Sequence, residues 1–194
     1  GNGESGTAGA LDVEDSSAVS FSSLLVMDAA AAIGSGPSTG TLTLASDVDT
    51  TAGAFALTFF GSGTTIMNGA ISGAGALTKN GTGTLRLNGL ASHTGTTTVN
   101  AGTLVTNLAS LPGAVVNFAT LIFDDAVDRT VANNWGGTGS YIKQGAGVLT
   151  ISGTMSTTGS LELQAGTVKL AASERYSSSL DLIVNTGATF DLNA

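Results

Sequence analysis

The chain has 194 residues, with 6 Lys and Arg against 14 Asp and Glu, a formal net charge of −8. So acidic a chain, with its few basic residues scattered, repels phosphate backbones, which argues against nucleic-acid binding. An apolar fraction of 42% with only 10% charged residues excludes a disordered tail and allows one domain with a sizeable core.

Glycine is abundant at 28 residues, proline is limited to 2 and cysteine is absent. With frequent Thr, Ser, Val and Leu, this composition favours many short strands joined by tight turns. The lack of cysteine means that no disulfide could lock the chain before it crossed a membrane. No apolar run approaches the ~20 residues of a transmembrane helix. The nearest stretch, LLVMDAAAAIG over 24–34, is too short and carries Asp28. The chain starts at Gly1 with no basic-then-apolar leader, and the expectation is a processed product or an excised fragment.

In chain order, the predicted strands follow a recurring Gly-x-apolar-x-apolar phrase. It reads GALDV from Gly9, GTLTL from Gly40, GAFAL from Gly53, GALTK from Gly75, GTLVT from Gly102, GVLTI from Gly147, GTVKL from Gly166 and GATFDL from Gly187. Alternation within each phrase is the period-2 mark of a strand with one buried face. A leading glycine suits a corner with positive φ or a close backbone approach.

Two longer periods organise these strands. Leu57–Gly69 (LTFFGSGTTIMNG) aligns without a gap on Leu77–Gly89 (LTKNGTGTLRLNG) at an offset of 20. Residues 73–106 align on 137–170 at an offset of 64, with 13 identities in 34 positions, seven of them glycine. Sixty-four lies near three times twenty, which reads as a block of three short units. A unit of ~20 residues cannot bury its own apolar face, whereas stacked units bury a continuous column. The expected fold is therefore all-β, a parallel β-solenoid of roughly nine rungs and about 45 Å length at ~4.8 Å per rung. An antiparallel sandwich or barrel is the other architecture that short, evenly spaced strands allow. Asn68, Asn88 and Asn107 recur at spacings of 20 and 19. They could form an amide ladder along the stack, or could supply left-handed turn geometry.

The stretch ISGAGALTKNGTGTLRLNGLASHTGTTTVNAGTLVTN, residues 71–107, resembles the autotransporter-associated β-strand repeat, or passenger-associated transport repeat, of bacterial type V secreted and surface proteins. The pattern falls on Gly73, Gly75, Leu77, Lys79, Gly81, Gly83, Leu85, Leu87 and Gly89, then on Thr94, Gly95, Thr97, Val99, Ala101, Gly102 and Leu104. Residues 137–170 resemble a degraded second copy, with Tyr141 for Leu77 and Leu161 for Thr97. The resemblance implies a right-handed parallel β-helix exported outside a bacterial cell, in which the repeat serves passenger export and stalk folding, not catalysis. It divides a single solenoid over 1–194 into N-terminal rungs or cap (1–38), lead-in rungs (39–72), a first repeat (73–107), intervening rungs (108–136), a second repeat (137–170) and a terminal rung (171–194). The resemblance also implies a C-terminal outer-membrane barrel as a partner; this sequence does not contain one, and the expectation is that the barrel was cut away or that the protein is secreted by another route.

Candidate chemistry is sparse. His93, the sole histidine, has no second His and no Cys with which to build a zinc site or a nucleophile pair. Asp124, Asp125 and Asp128 in FDDAVDR, with Asp47 and Asp49 in SDVDT, could supply the grouped carboxylates of a polysaccharide-active β-helix enzyme or a loose calcium site. They could equally be solvated corners. A carbohydrate groove also offers exposed aromatics, and the chain has one Trp, Trp135, two Tyr and seven Phe. Lys79 and Lys143 occupy matching places and read as strand lysines that guard against edge pairing. GAGALTKNGTG lacks the ending of a phosphate loop. No catalytic, cofactor-binding or metal-binding residue is assigned. The expected role is a non-catalytic extracellular structural segment, with an end-to-end filament subunit, partnered by itself, as the alternative and a polysaccharide-active enzyme as the lesser one.

Overall fold

The computed structural model describes residues 11–13, 16–36, 38–107, 111–172 and 176–192. Among them there is no helix, and every strand pairing is parallel. The antiparallel sandwich is thereby set aside. Strands recur in a fixed cycle over three faces. The first face is a seven-stranded sheet, the second a nine-stranded sheet, and the third a three-stranded sheet followed further along by a four-stranded one.

The nine strands of the second face mark nine rungs, from Ala18–Phe21 in rung 1 to Asp181–Val184 in rung 9. The pairings Ala18↔Thr41↔Thr64↔Thr84↔Thr103↔Thr120↔Ser140↔Ser160↔Asp181 give turns of 23, 23, 20, 19, 17, 20, 20 and 21 residues. The expected GALDV strand forms at Leu11–Val13, and its leading Gly9 and Ala10 lie outside the described residues.

Local sequence explains each rung. In Thr84–Leu87, Leu85 and Leu87 point inward at 0% and 2% exposure, while Thr84 and Arg86 point out. The same alternation places Leu42, Leu104, Leu121, Tyr141 and Leu161 in register on Leu85's column, all fully buried. Rungs 6 and 7 add an interior aromatic stack. Trp135 lies 4.6 Å from Phe123 and 5.6 Å from Tyr141, with the three rings near parallel. The Tyr141 hydroxyl donates to the Gly136 carbonyl at 2.7 Å, so its polar end is satisfied inside the core.

The two repeat copies do not stand above one another. Leu77–Lys79 belongs to the first face and Thr84–Leu87 to the second, whereas their counterparts Ser140–Gln144 and Val148–Ile151 belong to the second and third. On the first face three turns carry the chain from Leu77 through Thr97 and Val115 to Trp135, 58 residues. The offset of 64 is three turns plus the step to the next face, not a plain block of three turns. The repeat is thus a strand–corner–strand unit indifferent to its face, because all three faces offer the same inward column and the same tight corner.

The amide ladder is present. Asn88 Nδ2 donates to Asn68 Oδ1 at 2.8 Å, and Asn107 Nδ2 turns instead to the Asn88 backbone carbonyl at 3.2 Å. Asn100 and Asn80 at 2.9 Å, and Gln144 and Gln164 at 2.9 Å, repeat the arrangement elsewhere. Ala54 is the one non-glycine with positive φ among the described residues, so left-handed turn geometry does not explain these asparagines.

Candidate functional site

The polar residues singled out in the sequence separate into interior and surface groups. Lys79 ends the first-face strand Leu77–Lys79 with the same inward parity as Leu77, and is 2% exposed. Its strand lies between Leu57–Gly61 and Thr97–Val99, so it is not at an edge and guards none. Its ammonium donates to the carbonyls of Asn80 and Gly81 at 2.8 Å each, and to Ala101 of the next rung at 3.3 Å. Lys143, 1% exposed, does the same one face further round, donating to Gln144 at 2.6 Å and Gly145 at 2.7 Å. The reading of both lysines as edge guards is corrected: they cap tight corners from inside, supplying donors to carbonyls that no strand can satisfy.

Burial lowers the Lys79 ammonium from 10.5 to about 8, while its three acceptors favour the charged form. Lys143 is lowered by burial, with Asp125 and Asp124 acting in the opposite direction. Between about pH 8 and 10.5 the unfolded chain holds a proton on Lys79 that the folded chain has released. Stability from this group therefore rises with pH across that window. The denaturation midpoint should climb from pH 8 to pH 10 in the parent relative to a Lys79→Met variant. Superimposable profiles for the two proteins would contradict this.

The carboxylates are engaged by separate partners. Asp124 faces Arg86 at 3.6 Å, both about half exposed. Asp125 is 6% exposed and accepts from Arg129 Nε at 3.0 Å and from the Val127 N–H at 3.1 Å. Asp128 accepts from the Val148 N–H of the next rung at 2.8 Å. Four rungs away, Asp47 accepts from the Ala70 N–H at 2.8 Å. Asp49 accepts from the Thr51 N–H at 2.8 Å and from Ser72 Oγ at 3.3 Å, and the Thr51 bond chiefly holds its carboxyl below the usual range. Each carboxylate is thus committed to its own neighbour, most often a backbone N–H at a corner. Among the described residues no three His, Cys, Asp or Glu side chains gather as a metal site.

His93 is a core residue at 1% exposure, its Nε2 lying 3.2 Å from Thr97 Oγ1 and its Nδ1 without a protein partner. Burial lowers its pKa and favours the neutral ring. Thr157, its counterpart in the second repeat, is likewise buried and donates to the Gly137 carbonyl at 2.9 Å. A cleft of about 240 Å³ opens at the first rungs between Met27, Ile33 and Val48, with Asp28 on its wall. It gathers no set of convergent polar groups of the kind that marks a substrate site.

What the sequence reading missed is the interior role of the two lysines. The signal was parity: Lys79 stands two residues from Leu77, and Lys143 two from Tyr141, so both had to point inward.

Residues 77–105 and 142–170 each match the family described as passenger-associated-transport-repeat. Comparison with curated proteins and with solved structures found no match. The matched segments contain the two lysine-capped corners and the strands around them, and repeat and fold together fit a structural segment of a passenger region. Two segments of the chain thus match the passenger-associated transport repeat, one starting on the first face of the solenoid and the second starting on the next.

Proposed function

We propose that the chain is a non-catalytic stalk segment of a bacterial secreted or surface protein, working outside the cell as an acidic rod that spaces or carries other parts. The observation that carries this reading is how the polar side chains are used. Among the described residues, interior lysines, corner aspartates and surface amides are spent on capping corners and holding one rung to the next. Such a rod resists proteolysis where its cleavable bonds lie in paired strands, and among the described residues Lys79, Arg86, Arg129, Lys143 and Lys169 all lie within strands. The test is trypsin accessibility on intact producing cells, read with an antibody to this chain. Signal on unpermeabilised cells, with a resistant fragment spanning the rungs, is expected. A chain reached only after lysis would overturn the extracellular role.

A second reading, end-to-end assembly into filaments, is favoured by the two outermost strands of the second face. Ala18–Phe21 and Asp181–Val184 each pair on one side only among the described residues, and Leu182, Ile183 and Val184 are 39–45% exposed. Open parallel edges of this kind can accept a further rung. Negative-stain microscopy over a concentration series decides it: uniform long filaments support assembly, and short rods at every concentration exclude it. A polysaccharide-active enzyme would require loss of a measured activity on Asp124→Asn.

A further inference from the structure

The second face carries three outward columns that run through the rungs. One is hydroxyl-rich, including Thr84, Thr103, Thr120, Ser140 and Ser160. One is amide-rich, with Asn68, Asn88, Asn107, Gln144 and Gln164. Between them runs an aliphatic column, Ile66, Val105, Ile122, Ile142 and Ile183, of which Val105 is only 7% exposed, interrupted by two charges, Arg86 in rung 4 and Glu162 in rung 8. Glu162 accepts only amide donors, from Gln164 and Asn185 at 3.0 Å each, and has no cationic partner among the described residues. Arg86 reaches Asp124 at 3.6 Å across the rung between them, which leaves most of its donors uncommitted.

These two opposite charges are placed symmetrically about rung 6. A two-fold axis along the strand direction at Ile122 sends rung 4 to rung 8, rung 5 to rung 7 and rung 3 to rung 9. Arg86 of one chain then meets Glu162 of the other, twice. Val105 meets Ile142, Ile66 meets Ile183, and Ile122 meets itself. Hydroxyls fall on hydroxyls and amides on amides. A patch that maps onto itself in this way is what an isologous contact requires. The geometry points to lateral, antiparallel pairing of two copies of this chain through the second face, with the Arg86–Glu162 pairs setting the register.

The overlap of seven rungs, about 30 Å by about 15 Å at sheet spacings, is small beside a standard interface, so the pair is weak, micromolar or above in Kd. Two features oppose it: Asp124 of each copy falls near the axis, and Asp181 lies near its end opposite Thr64. Asp124→Asn should therefore tighten the pair.

Sedimentation velocity on the full chain over a concentration series tests the proposal. Concentration-dependent dimers are expected. Arg86→Glu and Glu162→Arg alone should each weaken dimerisation at least tenfold, since each change acts twice in the symmetric pair. The combined Arg86→Glu/Glu162→Arg swap should restore it. A chain that stays monomeric throughout, reversals without effect, or a swap that fails to rescue would overturn the proposal. End-to-end filaments insensitive to all three variants would also overturn it, leaving the rod's ends as the sole association surface.

Discussion

Trp135→Ala should be the most damaging single side-chain truncation in the chain, costing about 3–5 kcal/mol. Trp135 is 1% exposed and stacks on Phe123 at 4.6 Å and on Tyr141 at 5.6 Å, so its removal opens a void that neither ring can fill without leaving its partner. The lesion lies between rungs 6 and 7 of nine. In a quasi-one-dimensional stack each rung is coupled only to its neighbours, so a weakened junction separates the array into two blocks. Thermal unfolding followed by circular dichroism should show a lowered, broadened or split transition. A single transition at the parent's temperature would mean that the aromatic stack contributes little to coupling.

Gly81→Ala should cost about 3 kcal/mol or more despite adding a single methyl. Gly81 sits at φ +75°, where an L side chain is strained by about 1 kcal/mol. A Cβ there would lie 2.4 Å from the Gly61 carbonyl oxygen of the preceding rung, a backbone atom that cannot turn aside. The same residue's carbonyl accepts from the Lys79 ammonium, so a shift of the corner also loosens that cap. Gly187→Ala is the control: its φ is +86°, but nothing lies within 4 Å of an added methyl. It should cost only the conformational strain. Equal losses in the two variants, measured by denaturant unfolding, would show that rung contact is not what makes Gly81 necessary.

Much of this fold was legible in the sequence. The alternation in GTLRL and GVLTI gave the inward and outward residues, and the gapless offset of 20 gave the parallel register that pairs Thr64 with Thr84. The offset of 64 could not be read so directly. Local repeats encode a strand, a corner and a strand, but not the face on which they lie. That phase depends on the turn lengths between them, here 20, 18 and 20 residues along the first face. Lys79 and Lys143 were misread because lysine is ordinarily a surface residue. Parity gave the better rule, and the ammonium's place among corner carbonyls needed three-dimensional structure to find. The clustered aspartates looked like chemistry because Asp124, Asp125 and Asp128 are close in sequence. The corner turns them to three different partners, Arg86, Arg129 and the Val148 N–H.

The most direct test of stacked parallel rungs uses the absence of native cysteine. Ser160 Oγ donates to Ser140 Oγ at 3.0 Å from the rung above, across a register of 20 residues. A Ser140→Cys/Ser160→Cys variant should close an intramolecular disulfide under mild oxidation. Ser140→Cys/Ser152→Cys should not, because Ser152 follows the third-face strand Val148–Ile151. In an antiparallel hairpin the pairing is reversed, with 140 opposite 152. Cross-linking of 140 to 152, and none of 140 to 160, would contradict the solenoid.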